Sequence, residues 1–389
     1  MGHVCAATAL YYAARTAAFA PGSEDLPQFE SDPGKLPSLS VVVPARDEER
    51  SVEACLRSLL AQRFLDMEVI VVDDRSSDAT PEILRQLAAE FPQLRVVNGE
   101  KLPAGWVGKP WALHQGYGAA QGEWLLFTDA DSVHASTGAA TALWFATTLG
   151  VDALSIATGQ ELGSFWERAL LPSILGMILF AAGTPAELND PLRPERALAN
   201  GQYLLVSRVA YDALGGHSAL RGEVVEDIEF ARRLKVDGRF ELAFVIATRL
   251  ARVRMYRSFV EVWDGFTKNF YLGARGHLPS LALAVAFFLA ISVAPPVLAL
   301  RALRRRRYAA LAEALATSAC IVATASWSFQ RVGIPRRLAL FQPLGITVLA
   351  AIAGASTWHA LAGHGVRWRG RTYPPRSRWS DGTAREPGE

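Results

Sequence analysis

The sequence predicts an α/β fold, a doubly wound sheet followed by C-terminal membrane helices, on three observations. Short continuous apolar runs alternate with helical periodicity from Leu39 to about Asp131, as in a sheet covered on both faces. Acidic clusters stand directly after those runs, at the strand ends where such a sheet binds its ligands. Three strongly apolar stretches, 279–300, 309–329 and 338–363, come last.

The elements follow in order. Residues 1–20 are Ala-rich and apolar, with Arg15 interrupting and no basic leader. They predict an N-terminal membrane helix or a loosely held amphipathic one, although Ala18-Phe19-Ala20 imitates a cleavage site. Residues 21–37 read as a linker. LSVVVP (39–44) is the first strand, and a helix follows at roughly 50–62, with Ser51 and Glu53 near its start. MEVIVVDD (67–74) is the second strand; the next helix starts at Asp78, with Pro81 in its first turn. LRVV (94–97) and EWLLFTD (123–129) are further strands, joined by right-handed crossovers. The apolar run 169–183 is too short to span a bilayer and reads as core or interfacial. Phe259, Val262, Trp263, Phe266 and Phe270 recur at helical spacing among Arg252, Arg254, Arg257 and Lys268. That pattern suits a helix in the membrane plane and, equally, a buried amphipathic helix. The organisation expected is an N-terminal segment (1–37), a catalytic domain (38–250), an interface helix (251–278), membrane segments (279–363) and a basic tail (364–389).

Charge and cysteine usage narrow the function classes. The 389 residues carry 40 basic and 38 acidic side chains, +2 in all. From Pro279 onward, 14 Arg face four acids, a net of +10, so the first 278 residues carry 26 minus 34, or −8. A basic, apolar C-terminus on an acidic body points to a membrane anchor rather than to nucleic-acid binding. Cys5, Cys55 and Cys320 have no CxxC spacing, which excludes a disulfide framework or zinc site and fits a reducing compartment. No GxGxxG follows the first strand, which argues against a dinucleotide oxidoreductase.

Four clusters carry chemistry. Pro44-Ala45-Arg46-Asp47-Glu48 ends the first strand, and Asp73-Asp74-Arg75-Ser76-Ser77-Asp78 ends the second. Adjacent carboxylates repel, so Asp73 and Asp74 suggest hydrogen-bond acceptors for a base and a ribose, whereas Asp78 reads as a helix cap. Asp129-Ala130-Asp131 follows a buried strand. In extended backbone, residues i and i+2 point the same way, so the two carboxylates can converge on Mg²⁺ or Mn²⁺. His134 nearby reads as a solvated loop residue. Val225-Glu226-Asp227-Ile228-Glu229 opens a helix, where acids alone would be helix-dipole partners.

Taken together, VVVPARDEE, VDDRSSDAT, TDAD and VEDIEFARRL, in that order over about residues 38–250, resemble the family 2 glycosyltransferases of GT-A fold, a Rossmann-like doubly wound mixed sheet. The resemblance implies an inverting transferase using a nucleotide-sugar donor, UDP-sugar foremost. It implies nucleotide contacts from Pro44, Arg46, Glu48, Asp73, Asp74 and Asp129, a metal at Asp131 and Asp129, and Asp227 as general base. Glu226, Gly201 and Gln202 would lie on the acceptor side. The loop Lys101-Leu-Pro-Ala-Gly-Trp-Val-Gly-Lys109-Pro-Trp-Ala-Leu and the trailing Gly370-Arg-Thr-Tyr373 are similar to membrane-bound lipid glycosyltransferases, hopanoid-associated and carotenoid-linked ones among them. That implies a lipid acceptor, Lys109 beside the nucleotide, and an inner-membrane enzyme with a cytoplasmic catalytic domain. A polyprenyl-phosphate sugar synthase or a silent membrane scaffold are the alternatives. The Q-x-x-R-W box of processive synthases is absent: 262–269 reads VWDGFTKN.

Topology is the remaining expectation. Three full crossings would put Arg301–Arg307, five Arg, outside with the basic tail, against the positive-inside tendency. Pro295-Pro296 also disfavours an unbroken helix over 279–300. A re-entrant or in-plane hairpin there leaves 309–329 and 338–363 as the two crossings, while burial of a broken helix against its neighbours is the competing outcome.

Overall fold

The structure, a computed structural model, describes residues 2–17, 26, 34–63, 66–273, 278–362, 366–368 and 371–373. The Ala18-Phe19-Ala20 run, most of the linker and Gly370 lie outside the described residues. In chain order the elements are α1 (Gly2–Ala17), β1 (Leu39–Ala45), α2 (Val52–Leu60), β2 (Met67–Asp73), α3 (Thr80–Glu90), β3 (Leu94–Asn98), α4 (Gly108–Ala119), β4 (Trp124–Phe127) and β5 (Ser132–His134). There follow α5 (Gly138–Leu149), β6 (Ala153–Ala157), β7 (Gly159–Gln160), α6 (Phe165–Ala182), α7 (Pro185–Asn189), β8 (Leu204–Ser207), α8 (Arg208–Ala213), α9 (Glu226–Asp237), β9 (Leu242–Ile246) and β10 (Ala251–Val253). The chain continues through α10 (Phe259–Gly273), α11 (Leu278–Ser292), α12 (Ala294–Arg304), α13 (Tyr308–Arg331), α14 (Gln342–Leu361), β11 (Val366–Trp368) and β12 (Arg371–Tyr373). It forms two compact units. One holds 25–161, 186–255 and 365–389, the other 1–24, 162–185 and 256–364.

The α/β unit is built on a seven-stranded sheet in the order β3-β2-β1-β4-β8-β6-β9. Val41, Val42, Val43, Ile70, Val71 and Val72 are each at most 1% exposed. Burial of this completeness contributes about 1.5–3 kcal/mol per large side chain, and explains why these strands read as unbroken apolar runs. β2 pairs in parallel with β1 and β3, and β1 with β4. β8 runs antiparallel to both β4 and β6, which makes the sheet mixed. An antiparallel strand begins where its parallel neighbour ends: Leu204 faces Phe127. The loop before β8 therefore reaches the carboxyl end of β4. A second sheet, β5-β10-β7, flanks that region.

Three expectations need correction in detail. α3 starts at Thr80 rather than Asp78. Asp78, just ahead of the helix, caps its start and ties it to the loop after β1, its Oδ1 accepting from Thr80 N (2.9 Å) and its Oδ2 from Glu49 N (3.0 Å). His134 is buried, not solvated, because β5 pairs with β10 and sets it opposite Ala251. The apolar run expected to begin at 169 starts earlier, since Ser164 and Glu167 form a reciprocal capping box that opens α6 at Phe165. At 18 residues α6 is long and apolar enough to cross a membrane by length and composition.

The helical unit has its own core, in which Leu170, Ile174, Val262, Phe266, Ile291, Ile321, Ile346 and Ile352 are buried together. The face of α10 carrying Val262, Phe266 and Phe270 is thus packed inside this unit, while Val260 is exposed. α13 and the segment Arg336–Leu361 are the other helices of spanning length, and α11 and α12 form a pair bent by 41°. The bend falls at Val293, with Pro295 and Pro296 in the first turn of α12, as missing backbone donors require.

Candidate active site

Within the α/β unit the carboxyl ends of β1, β2 and β4 bring three of the acidic clusters together, and α9 supplies the fourth. At the β4 end, Asp129-Ala130-Asp131 is a turn rather than extended backbone: the Ser132 N–H donates to the Asp129 carbonyl at 3.2 Å. The two carboxylates, both partly exposed, accordingly sit on the bend between β4 and β5. Beneath them Cys55 is fully buried and its thiol lies 3.6 Å from the Asp129 carbonyl. Burial, then the charges of Asp131, Asp129 and Glu48, push that thiol far above its ordinary range, so it is an inert packing group. Among the described residues no group of three or more His, Cys, Asp or Glu side chains is placed so that it could by itself hold a metal ion.

Lys109, in the first turn of α4, is the hub. Its Nζ lies 2.7 Å from Asp129 Oδ1 and 2.9 Å from Glu226 Oε1. Burial alone would lower its ammonium, but Asp129, Glu226 and Asp227 outweigh that and hold it well above its ordinary value. Asp227, at the start of α9, is fixed by two backbone donors: Gly201 N to Oδ2 at 2.7 Å and Ile228 N to Oδ1 at 2.8 Å. Burial first and the Glu226 charge second raise its carboxyl to about 6, against the pull of Lys109. Gln202 is buried, its carbonyl accepting from Thr128 Oγ1 at 2.7 Å and its amide oxygen from Thr158 Oγ1 at 2.6 Å. The loop before β8 is thereby pinned to the end of β4.

Gly201 is the contact point of this cluster. A Cβ there would stand 2.6 Å from Lys109 Nζ and 3.2 Å from Asp227 Oδ2. Gly201→Ala is expected to displace the lysine and lower turnover by at least about tenfold, since misplacement of catalytic groups by an ångström costs up to 10², with the melting temperature nearly unchanged. Steady-state kinetics beside a thermal melt checks this.

The ends of β1 and β2 form the other wall. Arg46 Nη1 donates to the Asp74 carbonyl at 2.7 Å and lies 3.8 Å from its carboxylate. Glu48 donates its N–H to Thr80 Oγ1 and accepts from Ser51 Oγ, both at 2.8 Å; Pro44 sits opposite Val72 in the sheet. Asp73 Oδ1 accepts from Ser76 N at 3.0 Å. Asp74 is 2% exposed and both its oxygens are taken by Arg371, at 2.6 and 3.1 Å. Burial raises the Asp74 carboxyl in spite of Arg371 and Arg46. In the sequence Arg371 stands only in the basic tail and in a trailing motif; no spacing links positions 297 residues apart. His217, buried against the Tyr211 hydroxyl (2.8 Å), is a core residue.

The chain is similar to known proteins. Residues 40–153 match the model of Glycosyl transferase family 2. Over 298 residues the chain is 27% identical to a beta-monoglucosyldiacylglycerol synthase of Trichormus variabilis, covering 70% of this chain and 60% of that protein. The chain thus spans less than two thirds of that relative's length. It is 26% identical over 345 residues to a 4,4'-diaponeurosporenoate glycosyltransferase of Staphylococcus aureus, with 86% and 88% covered. Its fold is similar to that of a mannosyltransferase from Pyrobaculum calidifontis solved with GDP-Man and Mn²⁺, at a TM-score of 0.54 and 21% identity over 93% of this chain and 99% of that one.

Proposed function

From the premise that this chain is a family 2 glycosyltransferase of GT-A fold, we propose that it transfers a sugar from a nucleotide-sugar donor to the hydroxyl of a membrane lipid, with inversion. The observation that carries the reading is the cluster Lys109–Asp129–Glu226–Asp227: one fixed cation and one raised carboxylate on the same cleft. The lipid acceptor is supported by the two relatives, a beta-monoglucosyldiacylglycerol synthase and a 4,4'-diaponeurosporenoate glycosyltransferase.

The chemistry follows from the residues. A hydroxyl is a weak nucleophile at neutral pH and needs a positioned base. Asp227, raised to about 6, is largely ionised at pH 7 yet basic enough to accept that proton. As the hydroxyl oxygen bonds to the anomeric carbon, the bond to the diphosphate breaks and the nucleotide leaves with the electron pair. Lys109 stands ready to offset charge on the departing phosphates. Asp129 and Asp131 offer two hard oxygen donors, both partly exposed, on the bend after β4, which fits Mg²⁺ or Mn²⁺, ions commonly held by one or two carboxylates together with substrate phosphates. A divalent ion bound there would supply Lewis-acid stabilisation of the leaving diphosphate.

Membrane topology belongs to the same proposal. Arg371 follows the last apolar helix and is buried against Asp74 in the α/β unit, which supports an even number of crossings between Met255 and Arg371. α13 and α14 then cross, and the bent pair α11–α12 does not. The single helix α6 both leaves and re-enters the α/β unit's chain, between Glu161 and Ala186, and by the same parity does not cross. The five Arg of 301–307 fall on the catalytic, cytoplasmic side and Arg331, Arg336 and Arg337 opposite, as the positive-inside tendency prefers. In a cysteine-free background, a cysteine at Arg331 is expected to react with a membrane-impermeant thiol reagent in intact cells and one at Arg304 to resist it. Labelling at Arg304 from outside would restore three crossings.

The function itself is tested by incubating membranes containing the protein with UDP- and GDP-sugars and analysing extracted lipids by mass spectrometry. A hexose added to a lipid is the expected result. Transfer to polyprenyl phosphate that survives loss of Asp227 would favour the alternative, because a phosphate acceptor needs little base help.

A further inference from the structure

Asp73 and Asp74 are adjacent, yet their surroundings differ. Asp74 has both carboxylate oxygens committed to the Arg371 guanidinium in a two-pronged pair, with Arg46 on its carbonyl. Asp73 spends only Oδ1, on the Ser76 N–H; its Oδ2 has no partner among the described residues. The turn that joins them is tightly specified. Arg75 is held at φ 57°, and a Cβ on Gly99 would meet the Asp73 carbonyl at 2.7 Å. Arg371 is 0% exposed, so its charge is sustained by this pairing. It arrives on the short hairpin β11–β12 beyond α14.

We propose that Arg371 is a positioning residue of the donor site: by clamping Asp74 it aims the Asp73 carboxylate at the nucleoside, so the C-terminal hairpin is a working part of nucleotide binding. The two acids thereby divide the work, Asp73 facing the ligand and Asp74 anchoring the tail. This rests on the glycosyltransferase reading above, and it adds to that reading a residue and a segment outside the family-matched region, which ends at 153.

The test uses the purified full-length protein and measures UDP and GDP affinity with Mn²⁺, donor KM, kcat and melting temperature. Arg371→Lys keeps the charge and loses the fork; it is expected to raise donor KM roughly tenfold while kcat changes by less than about threefold. The pair Asp74→Leu with Arg371→Met removes both charges together, a replacement that buried ion pairs often tolerate without loss of stability. If Arg371 positions Asp73, this folded double variant still binds nucleotide weakly. Wild-type nucleotide affinity and donor KM in a double variant with a normal melting temperature would reduce the pair to a fold contact and overturn the inference alone. A wild-type protein that binds neither nucleotide and releases none from any donor would overturn the functional reading along with it.

Discussion

Asp131→Asn is expected to lower sugar transfer by on the order of 10³-fold, the several kcal/mol of barrier that a correctly held metal supplies, and excess Mn²⁺ or Mg²⁺ is expected not to restore it. The expectation comes from the position of the partly exposed Asp131 on the bend after β4, beside Asp129, whose Oδ1 is already engaged by Lys109. Removing one carboxylate there would halve the oxygen donors that the protein could offer to such an ion. The substitution is nearly isosteric, so the melting temperature should stay within a few degrees. Activity assays over a metal titration, with wild-type protein in chelator as the reference, decide the matter. Undiminished wild-type turnover in chelator would remove the metal from the mechanism.

Asp227→Asn should cost about 10²–10⁴-fold in kcat, the range for loss of a general base, with donor KM changed little. The Gly201 and Ile228 N–H groups that hold this carboxylate would keep one amide oxygen and leave the other atom mismatched, so geometry is largely retained while basicity is gone. Because burial and Glu226 raise this acid to about 6, the base is present above that pH and is lost as pH falls through it. The wild-type rate should therefore show an acidic limb near pH 6 that Asp227→Asn abolishes. Glu226→Gln, by removing a raising charge, should move the limb to lower pH. A donor KM that rises as steeply as kcat falls would make Asp227 a nucleotide ligand instead.

What could be read from the sequence follows from how local each signal is. β1 and β2 are legible because strands buried on both faces must be continuous Val and Ile runs. α9 is legible because its acids open it and Phe230, Ala231 and Leu234 are buried along it. The antiparallel strand β8 carried no such mark, since LLVS between an irregular loop and a short helix fits several roles. His134 misled because a single histidine has no period, and its burial depends on a pairing with β10 more than a hundred residues later. In the cleft, the acids announced themselves as motifs, but the convergence of Lys109 on Asp129 and Glu226 depends on the bend at 129–132 and on the loop that β8 delivers. Arg371 was one arginine among fourteen in the C-terminal part. Only three-dimensional contact distinguishes it.

The hairpin that carries Arg371 also has a bearing on how the protein comes into being. During translation the strands of the α/β unit emerge first, and domains of that kind begin to fold as they appear. Asp74, however, meets its guanidinium partner only after α10 through α14 have been synthesised. Until then a buried carboxylate at the carboxyl end of β2 lacks its Arg371 partner, a state that costs stability. Nascent chains stalled within α13 should consequently be loosely ordered around the β2 end, and, if Arg371 positions Asp73, the enzyme should gain its nucleotide affinity only once α14 and the hairpin have been delivered. Ribosome-bound intermediates would in that case stay silent towards sugar nucleotides until the hairpin has docked on Asp74.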